Sequence, residues 1–506
     1  REMGATGRGE HTEIGTYIEH SVSSELSGNV IELCPVGALT SKPFRFKARA
    51  WEINSKAGIG MHDPLGSNLF YHTYQSKVVR AVSRENEALN EVWLSDKDRF
   101  GVEGLYVQRL MQPEMKQNGT WKQVSWEEAL QYAVERIQTL LHDGTPSQLG
   151  ALASSACSTE ELYLLQKLMR DLGSKNVDHR LSMQDASPLK RMDAYPSLHQ
   201  SLEAFEQNEV IALIGCHPRR EIPLLNQRIL KAVKQGAQVL SLQSYSDENR
   251  YPIVKEVLVQ QGDFAPHLLG VVKLLLENHK LDFDLPKDML DKINQAKVQP
   301  DHQAFAEKLS KSTSKVILMG HDILAHPEAA LLQYIIRLIA HLVNAQVAEI
   351  TENANGAGAW AVGMVPYEPL GDNRGLSAIE MLSSPLKAMF LMNLEPEFDC
   401  ADPKRSIETL KEVDEVICLT PFVTQTMRSY ATLLLPMAPM SETEGTYLNV
   451  LGQSQTVRAA TPVHYQSKPA WKILRVLGNL LHLEGYQYNT AQEVLKEAQT
   501  MERKGL

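Results

Sequence analysis

The sequence predicts an α/β protein built on doubly wound parallel sheets, and two observations predict it. Short continuous apolar runs recur through the middle of the chain, and each is followed by proline, a helical stretch and a second apolar run. Runs without polar alternation are typical of strands buried on both faces, and proline is favoured in the first turn of a helix that connects parallel strands. Alternating strands and helices of this kind form parallel sheets covered by helices.

Three strand–helix–strand units carry this pattern, and two helices precede them. The paired strands are predicted at 210–215 with 238–242, at 316–320 with 346–350, and at 389–393 with 415–419. The helices begin at Ser125 and Ser158, where a glutamate three residues later completes a capping box. Gly173 is a suitable C′ residue for the second helix. The small-residue segment 355–359 has neither the spacing nor the preceding strand of a nucleotide-binding motif, and we predict a loop there.

Composition and charge narrow the function classes. The chain has 506 residues, 43% of them hydrophobic and 22% charged, which is enough for several domains. A net charge of −10 argues against nonspecific binding of nucleic acid. No apolar run reaches the roughly 18–20 residues that span a bilayer, and the richest run, 329–343, reads as a packed helix. Five scattered cysteines favour a reducing compartment over a disulfide framework.

The chain divides into four segments by its local pattern. Residues 1–45 are glycine-rich, and 46–107 contain short apolar runs broken by Gly, Asn and Pro, as in a small β-rich domain. Residues 108–430 carry the α/β pattern, and 431–506 are expected to close that body.

Cys34 is the candidate ligand for a metal cluster. It is followed directly by Pro35 and then by Val-Gly-Ala-Leu, the form that closes a ferredoxin-type iron–sulphur site. Three partner thiolates, usually in a C-x2-C-x2-C run, would be needed, and these 506 residues contain no such run. Taken alone, a cysteine is more often a buried apolar residue than a ligand.

The surroundings of Cys34 resemble a known family. Thr6 to Gly9, Ile14 to Ile18, Ser24 to Asn29 and Cys34 to Pro43 follow one another as in the large iron–sulphur subunit of NADH:quinone oxidoreductase (complex I), known as the G or 75-kDa subunit. In that family the stretch follows a cysteine-rich run within a ferredoxin-like domain. The resemblance implies that Cys34 is the fourth ligand of a [4Fe–4S] cluster. It also implies that the other three ligands, and further 4Fe–4S and 2Fe–2S clusters, lie before Arg1.

The small β-rich domain resembles a cluster domain that has lost its sulphurs. In the molybdopterin oxidoreductase superfamily the equivalent domain binds a cluster through C-x2-C-x3-C and a later cysteine. Here the matching positions are occupied by Gly60, Asp63, Ser67 and Ser95, none of which is a soft ligand for iron–sulphur chemistry. We predict no cluster in this domain. For His62, Asp63 and Asp96, a surface turn is favoured over another metal site.

Polar residues follow the predicted strands, and a later block resembles the superfamily. His217, Arg219 and Arg220 could hold a phosphate, but we favour a solvated surface or a surface that faces a partner subunit. The segments 431–436 and 441–455 resemble a superfamily block, in which we expect Gly445 and Gly452 to make tight reversals and Asn449 a local bond.

Three functions stay open at this point. The first is an electron-transfer subunit, with a molybdoenzyme-like body that holds no molybdopterin. The second is a molybdopterin enzyme resembling formate dehydrogenase, for which Ser182 or Ser187 would have to bind the metal. The third is a cofactor-free scaffold. Cys157 precedes a helix N-terminus, where a thiolate is favoured, but a small buried residue is the preferred interpretation.

The family resemblance implies partners and a location. The partners would be the NADH- and FMN-binding subunits on one side and quinone-proximal cluster subunits on the other. The assembly would sit peripherally on the cytoplasmic or matrix face of the inner membrane. The 506 residues alone are expected to be inactive.

Overall fold

The computed structural model describes residues 2–16, 21–187, 195–367 and 374–502. The N-terminal part contains a two-stranded antiparallel hairpin, one short helix, and a three-stranded antiparallel sheet followed by a second short helix. In chain order these elements are β1 (Met3–Thr6), β2 (Glu13–Thr16), α1 (Asn29–Leu33), β3 (Asn54–Ile59), β4 (Asn68–Tyr74), β5 (Lys77–Ser83) and α2 (Asp96–Phe100).

The remainder forms an α/β body. Its elements in chain order are β6 (Glu114–Gln117), β7 (Thr120–Gln123), α3 (Trp126–His142), β8 (Leu149–Ala153), α4 (Thr159–Asp171), β9 (Val177–Asp178), α5 (Leu202–Glu206), β10 (Val210–Ile214), α6 (Pro218–Glu221), α7 (Pro223–Lys234), β11 (Gln238–Gln243), β12 (Lys255–Leu258), α8 (Phe264–Asn278), α9 (Lys287–Gln295), α10 (Pro300–Lys311), β13 (Lys315–Met319), α11 (His321–Leu324), α12 (Ala329–Val343), β14 (Gln346–Glu349), α13 (Gly356–Ala361), α14 (Ala378–Met381), β15 (Ala388–Met392), α15 (Pro396–Asp399), α16 (Pro403–Lys411), β16 (Glu415–Thr420), α17 (Met427–Tyr430), β17 (Leu433–Pro436), β18 (Gly445–Leu448), β19 (Ser454–Val457), α18 (Ala470–Leu480) and α19 (Ala491–Glu502).

The body contains two mainly parallel sheets. In chain order, the strands of one sheet are inserted between strands of the other. The five-stranded sheet has the order β12-β11-β10-β13-β14 and is parallel throughout. The seven-stranded sheet has the order β7-β6-β17-β16-β15-β8-β9, with β6 and β7 antiparallel at one edge. The whole five-stranded sheet lies between β9 and β15 in the chain. The five-stranded sheet winds outwards in both directions from its central strand β10, and the seven-stranded sheet does so from β8, which is second from one edge, so the predicted doubly wound fold class is confirmed.

Apolar side chains cover both faces of each sheet. In β10, for example, Ile211 and Leu213 pack on one side, while Ala212 and Ile214 pack on the other. This explains the uninterrupted apolar runs in the sequence, because neither face of such a strand meets water. The four-part division of the chain remains a prediction.

The predicted helix signals operate as expected at α3 and α4. Ser125 Oγ accepts a hydrogen bond from the Glu128 backbone N–H (3.1 Å), and the Glu128 carboxylate accepts one from the Ser125 N–H (2.8 Å). Ser158 and Glu161 form the same reciprocal pair. Gly173 follows α4 with a φ of 86°, which suits glycine at the C′ position.

The predicted loop at 355–359 is wrong, because α13 forms there. The Asn355 carbonyl oxygen accepts the Ala359 N–H at 2.9 Å, and a Cβ atom on Gly358 would lie 2.0 Å from Asn355 Oδ1. The small residues thus serve a tightly packed helical turn. The apolar run 329–343 forms the packed helix α12 as predicted, and no helix within the described ranges is long and apolar enough to cross a bilayer.

Candidate functional site

Cys34 lies immediately after the one-turn helix α1. Its backbone N–H donates to the Val30 carbonyl oxygen at 3.1 Å, which fixes the residue as the end of the helix. The side chain is partly exposed. Hydrogen bonds from the backbone N–H of Leu39, and next from that of Val36, lower the pKa of the Cys34 thiol. Because the thiolate is the form that binds iron, the lowered pKa makes Cys34 a candidate ligand. Residues 34–39 are here called the Cys34 turn.

The other four cysteines are buried in the α/β body. Burial raises the pKa of Cys157 and of Cys216 well above the ordinary value, and that of Cys400 to about 12. Burial also raises the pKa of Cys418. The preferred interpretation of Cys157 as a buried residue is therefore correct, since a protonated buried thiol suits neither a nucleophile nor a ligand.

The helix before Cys34 is held against the small β-rich domain at its N-terminal end. The Asp96 carboxylate accepts hydrogen bonds from the Ser27 hydroxyl (2.5 Å) and the Gly28 N–H (2.7 Å). The Asp96 N–H in turn donates to the Glu25 carbonyl oxygen (2.8 Å). Asp96, which the sequence offered as a possible metal ligand, is thus occupied in anchoring the segment that leads to Cys34.

The four positions equivalent to cluster ligands are buried, and Gly60 also lines a cavity of about 430 Å³ together with Asp98. Ser67 and Ser95 are fully buried, and Asp63 is 1% exposed. The Asp98 carboxylate accepts the His62 N–H (3.0 Å) and the Ser95 hydroxyl (3.1 Å). A Cβ atom on Gly60 would lie only 2.2 Å from Asp98 Oδ2. Asp98 therefore fills the space that a ligand side chain at position 60 would need, and these residues do not fit an iron–sulphur cluster.

The predicted surface turn is wrong for Asp63, which is buried beneath the C-terminal block, whereas the His62 side chain is 48% exposed. The Val450 N–H donates to the Pro64 carbonyl oxygen at 2.8 Å, and the Asn449 side chain donates to that of Leu65 at 3.2 Å. Burial raises the pKa of Asp63 to about 6, opposed by Lys97, whose Nζ lies 3.7 Å away. These contacts join residues that are far apart in the sequence, so no local sequence pattern predicts them.

No other arrangement among the described residues suggests a metal centre. Over residues 2–16, 21–187, 195–367 and 374–502, no group of three or more His, Cys, Asp or Glu side chains is placed to hold a metal ion. His62, Asp63, Lys97 and Asp98, here called the polar cluster, are instead paired with one another.

A cavity of about 590 Å³ lies at the carboxyl ends of strands from both sheets. This is where ligands bind in folds of this type. Carboxylates are prominent among the described side chains that line it, and they are Glu221, Asp322, Glu349, Glu352 and Asp399. Partial desolvation raises the pKa of Glu221 and of Asp399.

The lining of this cavity does not fit a pterin dinucleotide. Arg180 is the one arginine or lysine among the described lining residues, and its guanidinium donates to both Asp178 oxygens at 2.8 Å. Its charge is thereby neutralised, so two phosphate groups would face carboxylates without a free cation. Ser182 donates to Glu352, and Ser187 is exposed. Part of the region suggested for a metal-binding side chain, residues 188–194, lies outside the described residues.

Two of the three basic residues after β10 are buried and do not form the solvated or partner-facing surface that we favoured. His217 is buried and stacks on Tyr245 with ring centroids 3.9 Å apart. Arg219 is also buried and donates to the Glu25 carboxylate and the Ser23 carbonyl oxygen, both at 2.7 Å. Only Arg220 of these three is largely exposed, and it pairs with Asp247. Arg219 thus anchors the N-terminal segment on the body.

The C-terminal block serves packing, as expected. The Asn449 side chain accepts the N–H groups of Leu451 (3.0 Å) and Gln453 (2.9 Å), and Gly452 has a φ of 73° in the turn. Gly445 differs from the prediction, because it begins strand β18. It is small because a Cβ atom there would lie 2.6 Å from the Ser158 Cβ.

Comparison with protein families gives three matches along the chain. Residues 109–480 match the molybdopterin oxidoreductase family. Residues 1–40 match the ferredoxin-like domain of NADH-quinone oxidoreductase subunit 3. Residues 54–103 match the 4Fe-4S domain of NADH-ubiquinone oxidoreductase NDSU1/NuoG-like proteins. This chain has no cysteine between 54 and 103, so the third match identifies the domain without the ligands of its cluster.

Relatives and a solved structure agree with these matches. The G subunit of NADH-quinone oxidoreductase from Rickettsia bellii is 28% identical over 96% of this chain and 63% of the relative. The 78-kDa subunit of mitochondrial NADH-ubiquinone oxidoreductase of Neurospora crassa is 30% identical over 95% of this chain and 58% of the relative. The chain thus spans about three fifths of the length of these relatives.

The solved structure bears on the fold alone. Acetylene hydratase from Pelobacter acetylenicus superposes with a TM-score of 0.69 at 14% identity, over 87% of this chain and 71% of that protein. The sequence motifs suggested a resemblance to the G or 75-kDa subunits and to the molybdopterin oxidoreductase fold, and both resemblances are confirmed.

Proposed function

We propose that this chain, which belongs to the molybdopterin oxidoreductase family, carries electrons in an NADH:quinone oxidoreductase and does not transform a substrate at a molybdenum centre. The observation that carries the proposal is the Cys34 turn, where a partly exposed thiol directly follows a one-turn helix and neighbouring backbone N–H groups lower its pKa. The relatives along nearly the whole chain are subunits of such enzymes.

Cys34 is proposed as one ligand of a [4Fe–4S] cluster whose other three thiolates come from outside these 506 residues. Bound there, a cluster would accept and release single electrons. The chain contributes the Cys34 sulphur, and the N–H groups of Leu39 and Val36 stabilise the negative charge on it. Pro35 contributes no N–H donor, and its ring restricts the backbone directly after the ligand.

The α/β body is proposed to have kept its fold without the pterin cofactor. The carboxylates that line its cavity and the pairing of Arg180 with Asp178 support this, because they oppose the phosphates of the cofactor. The body would then position the cluster-bearing parts and contact neighbouring subunits.

The proposed setting is the peripheral arm of complex I, a translocase, on the cytoplasmic or matrix side of the inner membrane. Its partners would be the subunits that bind NADH and FMN and the subunits that hold quinone-proximal clusters. The additional 4Fe–4S and 2Fe–2S clusters would be bound outside this sequence. The 506 residues alone would be inactive, because one thiolate cannot hold a four-iron cluster.

The test is the substitution Cys34→Ala in the assembled holoprotein, with Cys400→Ala as the matched control at a buried cysteine. We expect Cys34→Ala to abolish one low-temperature EPR cluster signal and to slow electron transfer from NADH to quinone. Cys400→Ala should keep every signal, because its buried thiol has a raised pKa. Retention of all signals in Cys34→Ala would contradict the proposal.

A further inference from the structure

Cys34 follows a helix of only five residues, so its placement depends on what holds that helix. A single helical turn is not stable alone in water. Helix α1 therefore requires contacts with the rest of the protein, and the strongest of these are made by two buried side chains, Asn29 and Arg99.

The Asn29 side chain joins α1 to the small β-rich domain, and both its amide nitrogen and its amide oxygen are fully hydrogen-bonded. Its Nδ2 donates to the carbonyl oxygens of Leu26 and Leu94, both at 2.8 Å. Its Oδ1 accepts the Leu94 N–H and an Arg99 N–H, both at 2.9 Å. The residue is 3% exposed, so each of these groups would be costly to leave without a partner.

Arg99 contacts the same helix, α1, at Glu32. Its guanidinium donates to both carboxylate oxygens of Glu32, at 2.8 and 3.0 Å, while one of its nitrogens also reaches Asn29. The Arg99 side chain is 5% exposed. A Cβ atom on Gly28 would lie 2.4 Å from Arg99 Cδ, so glycine at that position leaves the room that the arginine needs.

The element that makes these contacts is the one that resembles a ligand-bearing segment. Leu94 directly precedes Ser95, the position where the superfamily has a cluster cysteine, and Arg99 follows later in the same segment. In this chain the segment has no sulphur, and the contacts of Leu94 and Arg99 are directed to the helix that precedes Cys34.

We propose that Asn29 and Arg99 are positioning residues for the cluster ligand Cys34, so that the segment Leu94 to Arg99 sets the geometry of a cluster it does not bind. This inference rests on the proposed function of Cys34. The residues that orient a metal ligand from outside its coordination shell affect both affinity and potential.

The test uses the assembled holoprotein with Arg99→Lys or Asn29→Asp. Lysine keeps the positive charge beside Glu32 but cannot reproduce the planar fork, and aspartate keeps the shape of Asn29 but loses both Nδ2 donors. We expect both variants to shift the g-values and midpoint potential of the EPR signal that Cys34→Ala abolishes. We also expect that cluster to lose iron to a chelator about tenfold faster or more.

The matched control is Arg109→Lys. Arg109 makes a similar but more deeply buried fork with Glu442, at 2.7 and 3.1 Å, within the α/β body. The Arg109→Lys substitution should lower the thermal unfolding midpoint and leave the EPR signal and the rate of iron loss unchanged. If Arg99→Lys prevents assembly, Glu32→Gln, which removes the charge and keeps the shape, gives the same comparison.

The outcomes separate this inference from the function on which it rests. If Cys34→Ala abolishes a signal while Arg99→Lys and Asn29→Asp behave as Arg109→Lys does, the positioning role is wrong and the ligand assignment stands. If Cys34→Ala keeps every signal, the ligand assignment itself is wrong.

Discussion

The Cys34 turn and the polar cluster show two outcomes for segments that resemble iron–sulphur sites. At the Cys34 turn a thiol is partly exposed and its backbone donors lower its pKa. At the polar cluster the side chains are polar, mostly buried and paired with one another, and Asp98 fills the space beside Gly60. The first arrangement leaves a thiol available as a candidate ligand, whereas the second pairs polar side chains at the positions equivalent to ligands.

The comparison teaches that a cluster site is lost by more than removal of its sulphurs. Replacing cysteine with serine or glycine alone would leave a void, and voids in a protein interior are destabilising. Here the carboxylate of Asp98 takes the space that a side chain at position 60 would need, and its partners are hydrogen-bonded to it. The predictions that follow test whether these paired polar side chains stabilise the small β-rich domain.

The largest expected effect comes from Asp98→Ala. The change removes the acceptor of the His62 N–H and of the Ser95 hydroxyl, and it removes the buried carboxylate that lies 3.0 Å from His62 Nδ1. We expect the free energy of unfolding to fall by about 3 kcal/mol, as when one partner of a buried pair is removed. Urea unfolding of the purified chain measures it.

Asp284→Ala, at an exposed position, is the control for Asp98→Ala and should change stability by less than about 0.5 kcal/mol. Equal stability of the Asp98 and Asp284 variants would show that the polar cluster does not support the fold.

A smaller effect is expected from Gly60→Ala. The added methyl group would meet Asp98 Oδ2 at 2.2 Å, and Asp98 cannot easily move because its oxygens are already bonded. We expect a loss of about 1–3 kcal/mol, typical of overpacking. Gly104→Ala is the control, since nothing lies within 4 Å of its added Cβ. A variant as stable as the Gly104 control would mean that the space beside position 60 is open.

The smallest expected effect is a pH dependence at His62. Burial lowers the pKa of His62, but its hydrogen bond and attraction to Asp98 outweigh burial, so the pKa is raised. A raised histidine pKa stabilises the fold below the unfolded value of about 6.5, and this stabilisation is lost as pH rises through the folded value. The ring is 48% exposed, so screening limits the contribution to below about 1 kcal/mol.

Unfolding of the wild type and His62→Gln at about pH 5.5 and about pH 8.5 checks this dependence. The stability difference between the two proteins should be larger at the lower pH. The exposed His142→Gln serves as control. A difference independent of pH, or larger at high pH, would contradict the assigned pairing with Asp98.

Much of the fold could be predicted because its signals are local. Apolar runs such as 210–214 identify buried strands, and Ser125 and Ser158 mark helix starts through glutamates three residues away. The helix at 356–361 was missed because glycine and alanine there indicate flexibility, whereas tight packing against Asn355 stabilises a helical turn.

The site was predictable only in part, for the same physical reason. The sequence indicated Cys34 as a ligand, and that assignment stays a prediction. The roles of Asn29, Arg99 and Asp98 depend on partners far along the chain, such as Leu94 for Asn29. The only available signal was that Asn29 and Arg99 lie within the motifs that resemble the family, which does not reveal what they contact.

The most direct test of the account is elemental analysis of the native protein, purified without oxygen, for iron, molybdenum and tungsten. The account predicts stoichiometric iron with neither molybdenum nor tungsten, because Cys34 offers a cluster ligand while the carboxylate-lined cavity opposes a pterin dinucleotide. Stoichiometric molybdenum or tungsten would contradict it and direct attention to Ser182 and Ser187, and a protein free of all three metals would contradict it in favour of a scaffold.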